Sequence, residues 1–336
     1  MNRLTVIAEI AQGHEGKPAQ AAALLAAGAA AGADAVKFQL VYADELAAPD
    51  YAHFKLFQSL EMPDAVWAEL AALAGAKGTQ LHLDIFGPRS LALAERVGAA
   101  AVKIHSTDMA NVAFIRQVAQ SAVGEVLLSC GGCRREEIGA AIDILRARRL
   151  TLLHGFQGYP TPVEANQIAR LSALAALGAG AQVRLGFADH APADDPLRFL
   201  LPAAAIGAGA TVLEKHLTLA KVMKLEDHEA ALNPDEFEQF VVQMRACSAA
   251  IGAGTSQAAD FGMSRAEAEY RQKVRKHVVA VRDLAAGVEL RPEDLGLKRT
   301  SATDACDDLT AAYGKRLKSA VRRDQAITRA MLKDSA

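Results

Sequence analysis

The chain has 336 residues, half of them apolar, with 37 Lys and Arg against 39 Asp and Glu and a formal net charge of −2. That is ample material for a core, more than one domain usually needs, and without the sustained basic run that would suit nucleic acid. Four cysteines in this length make no disulfide framework, so a reduced, cytoplasmic protein is expected.

The first residues lead straight into an apolar run, Thr5 to Ile10, without the cleavable apolar core and small-residue exit of a signal peptide. The weakly polar stretch Ala19 to Val36 contains Asp34 and reads as a packed helix with its cap, so no membrane partner is expected. Strand-like runs then recur at Ala35 to Leu40, Gln80 to Phe86, Ala101 to Ser106, Glu125 to Gly131, Thr151 to Gly155, Gln182 to His190 and Thr211 to Leu217. Helical patterns follow them at Pro18 to Ala31, Pro63 to Lys77, Ser90 to Val97, Asn111 to Ser121, Arg135 to Arg148, Asn166 to Leu177, Pro196 to Gly207 and Pro234 to Ile251. Eight such units in about 250 residues predict a (β/α)8 barrel over 1–252. An open doubly wound sheet fits less well, because no Gly-x-Gly-x-x-Gly follows the first strand and polar residues end all eight strands.

The excursion from Val41 to Met62 reads as a long loop, either a lid or binding loop by its length or a plain surface excursion. After the barrel, a polar linker over 253–275 leads to short strand-like pieces at His277 to Val281, Val288 to Leu290, Leu295 to Arg299, Leu309 to Tyr313, Arg316 to Leu317 and Gln325 to Ile327. They predict a separate small domain over 276–336, near the lower size limit for folding alone.

The carboxyl ends of parallel strands are where α/β folds place their chemistry. Here they carry Glu9, Lys37, Gln39, Asp84, Lys103, His105, Ser106, Asp108, Ser129, His154, Gln157, Tyr159, Asp189, His190, Glu214, Lys215 and His216. Buried Lys37 and Lys103 require carboxylates or a bound anion beside them. With Ser106, Ser129 and the Gly131-Gly132 turn they form a candidate phosphate or carboxylate cradle. His190 and His216 end adjacent strands and are candidate ligands for a divalent cation, with Glu214, Asp189 or Asp227 nearby. Cys130 and Cys133 are spaced as C-x-x-C, but the thioredoxin-type setting is lacking.

Taken in order, Ala8-Glu9-Ile10, His14-Glu15-Gly16, Gly32 to Gln39, Val102-Lys103-Ile104, Tyr159-Pro160-Thr161-Pro162, Asp189-His190, Glu214-Lys215-His216, Asp227-His228 and Leu232-Asn233-Pro234 resemble the sialic acid synthase family. Val278 to Leu332 resembles that family's antifreeze-like (SAF) domain, with Lys298-Arg299 at its signature arginine. The resemblance implies a metal-dependent condensation of phosphoenolpyruvate with an N-acyl-mannosamine-type sugar. It implies a divalent ion on His190 and His216, Mn2+ first and Mg2+ or Co2+ next. Lys37, Lys103, Ser106 and Ser129 would hold the donor, and Asp108 would steer the attacking water. Glu9, Gln39, Tyr159 and Asp227 would position the sugar, with Gln157 at the family's Asn. Arg299 would reach the partner's barrel in a domain-swapped homodimer. The chain departs from the family's pattern with Asp84 on the third strand, where that pattern has a hydroxyl, and with Ala188 before Asp189. Two other readings are carried forward: a metal-dependent barrel aldolase or lyase with a different donor, and a non-catalytic sugar-acid binding protein.

Overall fold

The computed structural model describes residues 4–155, 158–252 and 261–333, so Gln157 lies outside the described residues. The chain divides into two units, Met1–Ala253 and Gly254–Ala336. In the first, β1 (Thr5–Ala11), β2 (Ala35–Gln39), β3 (Gln80–Ile85), β4 (Ala101–Ile104), β5 (Glu125–Ser129), β6 (Leu150–Gly155), β7 (Val183–Asp189) and β8 (Val212–His216) close in sequence order into one barrel. All eight pairings are parallel, β8 returning to β1.

Strand alternation sorts the barrel interior into layers, because every second residue points inward. Ile7, Ala35, Ala101, Leu127, Leu153 and Val212 form an apolar ring separate from the larger core between strands and helices. His82 and Gly186 stand at the same level on β3 and β7 by that alternation. A Cβ at Gly186 would lie 2.6 Å from Leu153 Cδ2, so glycine is what lets the ring close there. One step toward the carboxyl ends, the same periodicity brings Glu9, Lys37, Asp84, Lys103, Ser129, Ala188 and Glu214 inward.

Most helices match the expected pattern, and the differences have local causes. The helix expected from Asn166 starts at Arg170, since Asn166 Nδ2 donates to the Pro162 and Val163 carbonyls and Gln167 sits at φ 47°. The helix expected from Pro196 starts at Leu200, because Pro202 lacks an N–H and is tolerated only in a first turn. The excursion at 41–62 is not a plain loop: it holds two short helices, Ala43–Leu46 and Phe54–Leu60. Likewise the polar segment before the second unit's strands contains a helix, Arg265–Val274, opened by a Ser264–Glu267 capping box.

The second unit has its own core around Val278, Ala280, Leu290, Leu317 and Ile327. β9 (His277–Ala280) pairs antiparallel with β10 (Leu295–Lys298), and β11 (Arg316–Leu317) with β12 (Leu332–Lys333). Leu309 to Tyr313, expected as a strand, is a turn. Among the described residues no helix is long and apolar enough to cross a membrane.

His14 and His82 are buried with no charged partner at hydrogen-bond distance among the described residues, and burial pushes both down to about 4. The unfolded chain takes up protons at these residues below about pH 6.5, whereas the folded chain takes them up only near pH 4. Stability present above pH 6.5 is therefore lost as pH falls toward 4. Urea unfolding across that window should show this decline, and His82→Gln should make it shallower; an unaltered slope would contradict the assignment.

Candidate active site

The centre of the site is a set of buried charges on the layer above the apolar ring. Lys37 Nζ is 2.7 Å from Asp84 Oδ1 and 3.5 Å from Glu214 Oε2, and it also donates to Glu9 Oε2. Lys103 Nζ is 2.8 Å from Asp84 Oδ2, 3.2 Å from Glu214 Oε1 and 3.5 Å from Glu9 Oε2. Two ammonium groups thus face three carboxyl groups, and one acid is in excess. Burial pushes Glu9 up to about 8 despite the pull of Lys37. Burial also opposes the charge on Glu214, but Lys103, Lys37 and a hydrogen bond with Glu9 hold its carboxyl well below the usual range. The Lys103 ammonium is desolvated too, yet Asp84, Glu214 and Glu9 hold it well above the usual lysine range. The consistent assignment is a neutral cluster in which Glu9 keeps a proton and shares it with Glu214.

Above the cluster lies a small chamber of about 50 Å³, lined by Glu9, Gln39, Lys103, His105, Ser129, Tyr159, Ala188, His190, Glu214, His216 and Asp227 among others. It opens where a larger cavity of about 870 Å³ shares Gln39, His105, Tyr159 and Asp227. The His190 and His216 rings are 5.1 Å apart, and Tyr159 lies edge-on to both at 6.0 and 5.6 Å. His190 Nδ1 is 3.0 Å from the Ala188 carbonyl, which places its proton on that nitrogen and a lone pair on Nε2. Burial lowers both imidazoles, His190 to about 4, so both are neutral at pH 7. Two neutral imidazoles opening on one chamber fit a divalent cation whose remaining positions are filled by substrate or water oxygens. Among the described residues no group of three or more His, Cys, Asp or Glu encloses a metal position.

Ten residues singled out from sequence therefore line one chamber: Glu9, Gln39, Lys103, His105, Ser129, Tyr159, His190, Glu214, His216 and Asp227. Lys37 is fully buried and joins them through Glu9. Ser106 and Asp108 lie on the turn after β4 and line neither cavity. The Cys133 thiol donates to the Ser106 carbonyl at 3.6 Å, and burial pushes Cys133 up to about 11 and Cys130 higher, so neither is a reactive thiolate at neutral pH. Arg299 is exposed on the second unit, its Nε 3.2 Å from the Val274 carbonyl. Lys215 and Asp189 pair at 3.0 Å on the outward side of their strands and serve packing rather than the chamber. Sequence reasoning missed Gln12 and Phe57. Gln12 Nε2 donates to Gln39 at 2.9 Å and its amide to Asp227 at 3.3 Å; its place directly after the first strand was the available signal. Asp227 itself is held at φ 62°, and burial pushes its carboxyl up to about 6.

Residues 24–256 match the NeuB family model, about two thirds of the chain. The chain belongs to the NeuB family. Residues 275–333 match the SAF domain. Relatives of this NeuB chain include an N,N'-diacetyllegionaminic acid synthase of Legionella pneumophila, 29% identical over 93% of this chain and 90% of that protein. They also include the spore coat polysaccharide biosynthesis protein SpsE of Bacillus subtilis, 31% identical over 75% of this chain and 69% of that protein. In fold it resembles a sialic acid synthetase from Leptospira borgpetersenii solved in complex with citrate, with a TM-score of 0.72, 24% identity and coverage of 82% of this chain and 93% of that one. NeuB proteins are nonulosonic acid synthases, so this chain is a carbon–carbon bond-forming enzyme and not a silent binding protein.

If one proton is surplus in the charge cluster, removing one carboxylate only redistributes it, whereas removing two strands an ammonium. Glu9→Gln and Asp84→Asn should each be tolerated, and the double variant should cost about 1–3 kcal/mol more than their sum. Strict additivity in urea unfolding would show that no proton is shared.

Proposed function

We propose that the enzyme condenses phosphoenolpyruvate with an N-acyl-mannosamine-type sugar, releasing phosphate and a nonulosonic acid. The observation that carries this reading is the convergence of Lys103, Ser129, Glu9, His190 and His216 on one chamber beneath a sugar-sized cavity. Lys103 and Ser129 hold the donor's anionic groups, with Lys37 behind them in the charge cluster. Gln39, Tyr159 and Asp227 position the sugar hydroxyls, Gln12 fixing Gln39 and Asp227 in turn. His190 and His216 would hold a divalent ion, Mn2+ first, which would supply Lewis-acid polarisation of a carbonyl. C3 of the enolpyruvate then bonds to the aldehyde carbon, water adds at C2, and the C2 phosphate leaves.

One observation favours a second reading, an aldolase or lyase using another donor on a related keto-sugar acid. The Asp84 carboxylate already bridges both lysines, so a phosphorylated donor has to share or displace it. Phosphate release from phosphoenolpyruvate with Mn2+, across a panel of N-acylated hexosamines, separates the two. The expected result is acceptor-dependent release that chelation stops and that His190→Ala and His216→Ala each abolish without unfolding the protein. Absence of release with every acceptor, alongside retained metal binding, would turn the assignment to the second reading.

The proposal extends to a domain-swapped homodimer in which Arg299 completes the partner's site. Mixing inactive Glu9→Gln and Arg299→Ala chains under exchange should then restore about a quarter of the wild-type rate, since half the dimers are mixed and half their sites intact. No recovery in the mixture would place Arg299 and Glu9 in the service of the same chain's site.

A further inference from the structure

The opposite end of the barrel holds a cavity of about 510 Å³ that the proposed reaction does not use. It lies at the amino ends of the strands, where Thr5 begins β1, Gln80 begins β3 and Glu125 begins β5. The small residues Ala29, Gly32, Ala33 and Gly78 in its lining fill little of it. A neighbouring hollow of about 470 Å³ shares Glu125, Arg149 and Arg184 with it.

The amino-terminal face of such a barrel ordinarily contributes stability, and a network built for that alone closes its donors on its acceptors. This one does so only in part. Glu125 Oε1 accepts from Thr151 at 2.6 Å and from Arg184 at 2.7 Å, and Arg184 also donates to Thr5 at 3.1 Å. Asp34 accepts from the Val6 amide at 2.8 Å and from Arg245 at 3.1 Å. Both carboxylates are thus engaged, yet three guanidinium groups line the cavity with them. Arg149 is the one in excess: its Nη2 stands 3.7 Å from Glu125 Oε2, beyond hydrogen-bond length, and its side chain is 71% exposed. Two buried nitrogens of the same lining, Arg245 Nε and His82 Nδ1, have no hydrogen-bond partner among the described residues. Unmatched buried polar groups are costly, and their complement here is an acceptor that enters from outside. His82 Nε2 lies 3.2 Å from the Gln80 side-chain amide, which can present its oxygen or its nitrogen there, so Nδ1 is able to donate.

We infer that this face is a second ligand site, for a small oxyanion whose phosphate or carboxylate group takes its hydrogen bonds from Arg149, Arg184, Arg245 and His82. Guanidinium forks match both groups in geometry and charge. The site is separate from the catalytic chamber. Along β1 the order is Thr5 at this cavity, Ile7 in the apolar ring and Glu9 in the charge cluster. The assignment therefore stands whichever donor the chamber uses.

The test is calorimetric titration of the full chain with inorganic phosphate and, separately, with pyruvate. It compares the wild type with Ser129→Ala, Arg149→Gln and Arg245→Lys. Either anion can also enter the chamber, so the Ser129 variant sorts the two sites. A saturable site should persist in Ser129→Ala and weaken about ten-fold in Arg149→Gln, the effect of one lost charge-assisted hydrogen bond. Arg245→Lys keeps a cation beside Asp34 but lacks Nε, and should weaken binding by a similar factor. Turnover without added anion should be unchanged in both arginine variants. Binding of phosphate alone, or of pyruvate alone, would support the site and name the group it takes. No saturable binding of either anion, or binding that folded Arg149→Gln and Arg245→Lys both leave intact, would overturn it. Binding lost only in Ser129→Ala would assign the anion to the chamber and overturn it as well.

Discussion

Neutralising two lysines inside a closed barrel is the constraint on which the rest of this structure depends. Lys37 is fully buried and Lys103 nearly so, and an isolated ammonium at either position would not be tolerated. Glu9, Asp84 and Glu214 answer them from three other strands, so the cluster ties β1, β2, β3, β4 and β8 together at one level. Replacing this cluster with apolar side chains would serve stability equally well or better. Such a cluster suits the proposed reaction: charges held dry and preoriented act strongly on a substrate and need no reorganisation when it reacts.

The architecture was legible because period-two and period-3.6 patterns alternate cleanly, and because polar residues recur where each strand ends. Glu9, Lys103, Ser129, His190 and His216 were found that way, and each lines the chamber. What the sequence hid was of two kinds. Local chemistry overrode periodicity at Asn166 and Pro202, where side-chain hydrogen bonds and a missing N–H delay helix starts. Long-range placement decided the rest. Asp84 reads as a departure from the family's pattern until the closed barrel sets it between two lysines, and Phe57 reads as a loop aromatic until its helix folds against Phe86. Ser106 and Asp108, placed at the end of the fourth strand by sequence, lie on the turn Ser106–Asp108 and line neither cavity.

The two cavities divide the labour of the site by depth. Dry charges and imidazoles occupy the deep chamber, hydrogen-bonding groups its mouth, and apolar side chains the outer wall together with Gln12, Asp50 and Thr107. The charges and imidazoles of the chamber thus sit on strands, while Leu46 and Phe57 of the larger cavity sit on a βα excursion. Such excursions are where barrels change specificity without disturbing the scaffold.

The layering inside the barrel has a further consequence for how the strands find their alignment. Apolar sheets slide easily, since one Val or Leu replaces another at little cost. Here a two-residue slip of β8 in one direction would carry Glu214 into the ring now closed by Val212, and a slip in the other would draw Val212 up among the ammonium groups. A slip of one residue would turn Lys215 inward and break its pair with Asp189. The charges therefore act as a vernier: they reject neighbouring offsets that hydrophobic packing alone would accept, and so help select the barrel's stagger while the chain folds.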